Sequence, residues 1–148
     1  MLIDREKCVT EIQNRVTNYL TDPETIPFPE FTLMHSELTP VDPVGTNLMP
    51  CVLFLEGEDE ISRRSSRTHA GYPVSRVFSF LIEVWSVDRA TVVGMYKTIR
   101  KAIFDDGAGK LPDGAIREEK AIGPFTSMSE GAIGIRTVYE VTYEDKQI

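Results

Sequence analysis

From Asp4 to Leu20 the apolar residues Val9, Ile12, Val16, Tyr19 and Leu20 fall at offsets of 0, 3, 7, 10 and 11. That spacing keeps them on one side of a 3.6-residue repeat and predicts an amphipathic helix. Asp4 is placed to cap it, and Thr21-Asp22-Pro23 should end it, because proline disfavours the α conformation in the residue before it. A second helix is expected over Arg89–Phe104, capped by Asp88, with the stripe Val92, Tyr96, Ile99 and Ile103 and a stop at Asp105-Asp106-Gly107.

Other stretches repeat every two residues or run apolar over strand lengths. Cys51–Glu56 and Val77–Val87 are rich in β-branched and aromatic residues and predict two strands paired as a hairpin. A third strand is expected at Ala115–Ile122, closed by Gly123-Pro124. The last, Ala132–Glu144, sets Ile133, Ile135, Thr137, Tyr139, Val141 and Tyr143 on one face and Gly134, Arg136, Glu140 and Thr142 on the other. The order is α, arm, β, β, α, β, β, without the alternation of a doubly wound parallel sheet. The expected fold class is α+β: a mostly antiparallel sheet of four to five strands packed against two helices, as one domain over residues 1–148.

Two segments stand outside this pattern. Residues 21–50 read as an irregular, extended arm. Six of the nine prolines fall in it, at 23, 27, 29, 40, 43 and 50, with one strand-like stretch at Phe31–Ser36. Residues 57–76 form a connection too long for an ordinary hairpin, and such loops are commonly functional or disordered.

Charge sharpens the picture of that loop. The chain carries −7 overall, which opposes affinity for a nucleic-acid backbone. Residues 1–62 hold twelve acids against three bases, whereas residues 63–76 hold four arginines and no acid. Guanidinium groups match carboxylate and phosphate bidentately, so Arg63, Arg64 and Arg67, with His69 and Tyr72 in the same loop, are the candidate partner-binding residues. No apolar run approaches 18 residues and no signal-peptide core opens the sequence, so a soluble domain is expected, with no membrane partner. Cys8 and Cys51 lack metal-ligand spacing and are expected to be reduced and buried.

Each chemical motif has a plainer reading. Asp113 with Glu118 and Lys120 resembles the carboxylates and lysine of Mg²⁺-dependent nucleases, but those sit on neighbouring strands of a hairpin. The four residues between Asp113 and Glu118 leave no room for strand, turn and strand. Gly107-Ala108-Gly109-Lys110 follows a helix instead of opening one, so it reads as a helix stop and not a phosphate loop. Glu56, Glu58, Asp59 and Glu60 lack the spacing of a Ca²⁺ loop and read as a solvated acidic end. His35 and His69 are the two histidines, and Ser65, Ser66 and His69 share one loop too mobile to hold a nucleophile ready. The expectation is therefore no catalytic residue, no metal and no cofactor.

Several parts together resemble the phage tail terminator family, the small subunits that form a ring on finished lambda-type tails. They are the helix with Ile12, Val16 and Leu20; the strands around Phe54 and Phe78–Val84; the helix Ala90–Phe104 ending in Asp-Asp-Gly; and the closing strand Tyr139–Asp145. The resemblance implies a non-enzymatic virion protein of the neck and tail, assembled in the host cytoplasm as a homohexameric ring around a channel. One ring face would meet the tail tube protein and the other the head connector or head-completion protein. A sheath protein joins these partners if the tail is contractile, and DNA passes only through the channel. A head-tail joining subunit is the nearest alternative, and a nuclease built on Asp113, Glu118 and Lys120 is the alternative of a different class.

Overall fold

The computed structural model describes residues 4–22, 32–37, 50–58, 60–61, 74–105, 107–112, 114–126 and 131–145, with the backbone alone for 32–37, 61 and 74. The first apolar stripe becomes helix α1, Asp4–Thr21, which buries Cys8, Val9, Ile12, Val16 and Leu20. Asp4 lies in its first described turn. It stays near the positive end of the helix and pairs with Lys7 at 3.6 Å. The second stripe becomes α2, Arg89–Ile103. Here Asp88 does cap, its Oδ2 accepting from the Thr91 amide at 3.3 Å and from Thr91 Oγ1 at 2.8 Å. The buried row of α2 is Val92, Met95, Ile99, Ala102 and Ile103, and Tyr96 sits at its margin.

Among the described residues seven strands form one sheet: β1 Thr32–Glu37, β2 Cys51–Glu56, β3 Glu60–Ile61, β4 Val74–Ser86, β5 Lys110–Leu111, β6 Gly114–Thr126 and β7 Ile133–Asp145. Their spatial order is β1-β2-β4-β7-β6-β5, with the two-residue β3 beside β4. Five strands are long and every pairing but one is antiparallel, so the α+β class stands. The exception is β1, the strand-like stretch of the arm, which runs parallel to β2 from Thr32 beside Cys51 to Glu37 beside Glu56. The expected hairpin pair is present, with Cys51 opposite Trp85 and Glu56 opposite Phe80.

β6 departs most from expectation, running to Thr126 through Gly123-Pro124 instead of stopping there. Its register on β7 shifts twice, between Glu118 and Lys120 and between Ile122 and Phe125. Beyond its two-residue pairing with β5, the outer edge of β6 pairs with no described strand, so Pro124 interrupts no ladder on that side. The bulge at Ile122–Phe125 absorbs the residues that cannot pair.

Both helices lie on one face of the sheet, over Val52, Phe54, Phe78, Phe80, Ile82, Val84, Ile135, Tyr139, Val141 and Tyr143. Phe78 meets Phe80 and Tyr143 edge-on, at centroid distances of 6.4 and 5.9 Å. Arg5 stacks over Phe78 at 4.2 Å and donates from Nε and Nη2 to Glu56 Oε1 at 3.1 and 3.0 Å. Glu56, expected in a solvated acidic end, is therefore buried and paired, because its strand position points it under α1. Arg15 ties the helices to the sheet, donating to the Ile103 carbonyl at 3.1 Å and the Lys110 carbonyl at 2.6 Å. The first of these satisfies a carbonyl of α2 left open at its C-terminus. Gly109, at φ 68, brings its carbonyl 2.8 Å from the Ile116 amide, and an added Cβ would lie 2.2 Å from the Ile116 carbonyl oxygen. The Gly-Ala-Gly-Lys segment is thus a turn out of α2 into β5.

Candidate functional site

The opposite face of the sheet carries no described helix. Reading across β2, β4, β7 and β6 by register, its rows are Cys51-Trp85-Gly134-Phe125, Leu53-Glu83-Arg136-Ile122 and Leu55-Leu81-Val138-Lys120. Below them Ser79, Glu140 and Arg117 stand side by side. Cys51, Leu53, Leu55, Glu83 and Trp85 are buried; Leu81 and Val138 are half-buried; Ile122 is 42% exposed. On the closing strand the residues of this side, from Gly134 to Thr142, are half-buried or buried.

A carboxylate sits at the centre of these rows. Glu83 is 2% exposed and its lone pairs are occupied: Arg136 donates from Nε and Nη2 to Oε2 at 3.0 and 2.9 Å, and Trp85 Nε1 donates to Oε1 at 3.3 Å. A buried carboxylate is tolerated when it is neutralised and hydrogen-bonded in this way. Trp85 packs edge-on against Phe125 at 5.1 Å and lies flat over Gly134, where a Cβ would come within 2.8 Å of the indole. Burial, with the Glu83 charge adding to it, pushes the Cys51 thiol up to about 11, so this sulfur is a packed hydrophobe and not a nucleophile. Cys8 is likewise free and buried.

At the lower end of the same face a cleft of about 320 Å³ is lined by Glu58, Glu60, Val77, Ser79 and Glu140. Glu140 is held by Arg117 at 3.0 Å, while Glu58 and Glu60 are exposed and make no ion pair among the described residues. No cluster of three metal-ligating side chains occurs among the described residues.

Arg63, Arg64, Arg67, His69 and Tyr72 lie outside the described residues, as does Asp113. Of the arginine segment, Arg76 is described, and it is part of the fold: its Nε donates to Asp145 Oδ2 at 2.8 Å across β4 and β7. Glu118 receives Tyr96 Oη at 3.2 Å and pairs with Arg100 at 3.1 Å, clamping α2 onto β6. The bulge after Glu118 sets it opposite Tyr139 and Lys120 opposite Val138, so the two point to different sheet faces. A carboxylate and a lysine separated in this way cannot share a metal-bound water. Sequence reading missed the Glu83-Arg136-Trp85 network, although the alternation of β4 and β7 placed all three on the side away from the stripe.

No described helix is long and apolar enough to cross a membrane. What this geometry defines is an α+β domain whose sheet presents one face closed by helices and one face partly open among the described residues. No family model and no curated protein matches the chain. Among solved structures it is similar to a chain in the virion of a native gene transfer agent particle, at 14% identity and a TM-score of 0.51. That alignment covers 90% of this chain and 91% of the other. The two chains share a fold over nearly their full lengths.

Proposed function

We propose that this chain is a structural virion subunit that assembles as a ring on the end of a tail tube, stops its growth and offers the surface on which the head connector docks. One observation carries the reading: the fold matches that of a virion chain over nine-tenths of both molecules. A part of this kind works by covering a surface, so interface free energy is the quantity that matters and no transition state need be stabilised. The sheet face that carries no described helix and the outer edge of β6, which beyond β5 pairs with no described strand, support it, since exposed edges and apolar rows are usually covered by a neighbour. The partners are further copies of the chain, in sixfold number, together with tail tube protein and head connector protein. Arg63, Arg64 and Arg67 remain candidates for contacting acidic surface on one of them.

The test mixes purified chain with tail tubes that have no heads and images the tube ends. Capped ends that no longer elongate are expected. Uncapped tubes together with binding to head connectors would move the chain to a head-joining role. Mg²⁺-dependent plasmid nicking lost in Glu118→Gln would replace the structural reading with a nuclease.

A further inference from the structure

The two surfaces with unmet potential lie on opposite sides of the sheet and complement each other. The outer side of α2 is basic: Arg89, Lys97, Arg100 and Lys101 are exposed, and no acid occurs between Arg89 and Ile103. Arg100 is engaged by Glu118, but Arg89, Lys97 and Lys101 have no ion-pair partner among the described residues. The face that carries no described helix ends in the acidic cleft of Glu58, Glu60 and Glu140, where Arg117 pairs with Glu140 and leaves Glu58 and Glu60 without an ion pair among the described residues. The large hydrophobics exposed among the described residues are Val87, 58% exposed beside the N-terminus of α2, and Ile122, 42% exposed on the helix-free face. Each surface thus has an apolar end and a charged end, with opposite signs.

The spacings agree as well. From Val87 to Lys97 and Lys101 is ten to fourteen residues, roughly 15 to 21 Å at the helical rise. Ile122 stands opposite Arg136, and from that row to Glu140 and to Thr142, the row of the cleft residue Val77, is four to six residues. At the strand rise this is roughly 13 to 20 Å.

Resting on the ring reading, we propose that the outer face of α2 seats on the helix-free sheet face of a second copy of this chain, Val87 toward Ile122 and Lys97 and Lys101 in the cleft of Glu58, Glu60 and Glu140. Patches on opposite faces cannot meet in a two-fold dimer that uses one surface twice. They meet head to tail, the arrangement that closes into a ring. An acidic partner suits the lysines better than nucleic acid, because the chain at −7 repels phosphate while its own copies carry the matching acids.

The experiment measures self-association of the full chain by sedimentation velocity across concentration, at low and high salt, with thermal melts confirming that each variant is folded. Lys97→Glu with Lys101→Glu should weaken association by about tenfold, as should Glu58→Lys with Glu60→Lys, and the combined four-site variant should return to within about threefold of wild type. Wild-type rings accompanied by unaffected variants would overturn the pairing while leaving the ring intact. A wild-type chain that neither self-associates nor caps tubes would remove both. If Lys97→Glu with Lys101→Glu lost duplex DNA binding and kept assembly, the basic face would be reading phosphate and the pairing would be wrong.

Discussion

The two faces of this sheet solve burial in different ways. Under the helices the core is built from Phe54, Phe78, Phe80, Tyr139 and aliphatic neighbours, with the Arg5–Glu56 pair at its margin. On the other side a small cluster of Cys51, Leu53, Trp85 and Ala132 adjoins the ion pair of Glu83 and Arg136. The first face gains stability from area removed from water; the second gains orientation, since a charged pair inside an apolar cluster accepts few arrangements.

The comparison breaks first, and hardest, at Phe80. It is fully buried and packs tilted against Phe54, at 5.7 Å, and edge-on against Phe78, at 6.4 Å. Phe80→Ala should lower unfolding free energy by about 4 kcal/mol through lost transfer and an unfilled cavity, measured by urea denaturation. A loss near 1 kcal/mol would mean that the helices rest on the sheet without a shared core.

The polar face gives a smaller effect with a diagnostic sign pattern. Glu83→Gln removes the charge that neutralises Arg136 and should destabilise by about 2 to 3 kcal/mol, the partial exposure of Arg136 limiting the penalty. Glu83→Leu combined with Arg136→Met should recover most of that loss, because apolar groups of similar size need no partners. If the double substitution is no more stable than Glu83→Gln, apolar groups do not replace the ion pair and the contrast between the faces disappears.

Much of this was legible in the chain. The stripes of α1 and α2, the Asp88 cap, the β2-β4 pairing and the buried row Ile135 to Tyr143 follow from periodicity, because a face that is buried along its whole length imposes a period. β6 was not legible beyond Ile122: a bulge shifts the register without changing composition, and Gly123-Pro124 reads as a stop whether or not a strand runs through it. Glu56 and Glu83 were not legible either. A carboxylate shows its partner only when strands distant in sequence, or α1, bring Arg5 and Arg136 beside it. The candidate arginines at 63, 64 and 67 stand out by charge asymmetry alone, which names a partner's sign and not its place.

A third test sits where the polar face is tightest. Gly134 has ordinary backbone freedom but no room, since a Cβ would stand 2.8 Å from the Trp85 ring. Gly134→Ala should cost about 2 kcal/mol by overpacking and tilt the indole away from Glu83. Trp85 is the chain's one tryptophan, so its fluorescence reports this site directly. An unchanged emission spectrum with unchanged stability would show that the indole is not held against the β7 backbone.

The smallest expected effect reverses the sign. Tyr139 is fully buried in the helix-covered core, and its hydroxyl makes no well-formed hydrogen bond among the described residues, with Thr137 the polar side chain beside it. Burial, with the nearby Glu118 charge adding to it, raises its phenol well above the usual range. Tyr139→Phe removes a desolvated group while keeping the ring against Phe104, and should leave stability unchanged or raise it by about 1 kcal/mol at neutral pH. The pH dependence has a definite direction. Above the ordinary tyrosine value of 10.0 the unfolded chain ionises at this residue while the folded chain does not, so wild type loses stability as pH rises, and the phenylalanine variant, which keeps the raised phenol of Tyr96, loses less. Urea midpoints at pH 7 and near pH 10.5 should therefore diverge in favour of the variant. A variant clearly weaker than wild type at neutral pH would mean that the hydroxyl is satisfied, and that the helix-covered face is no less polar in its design than the other.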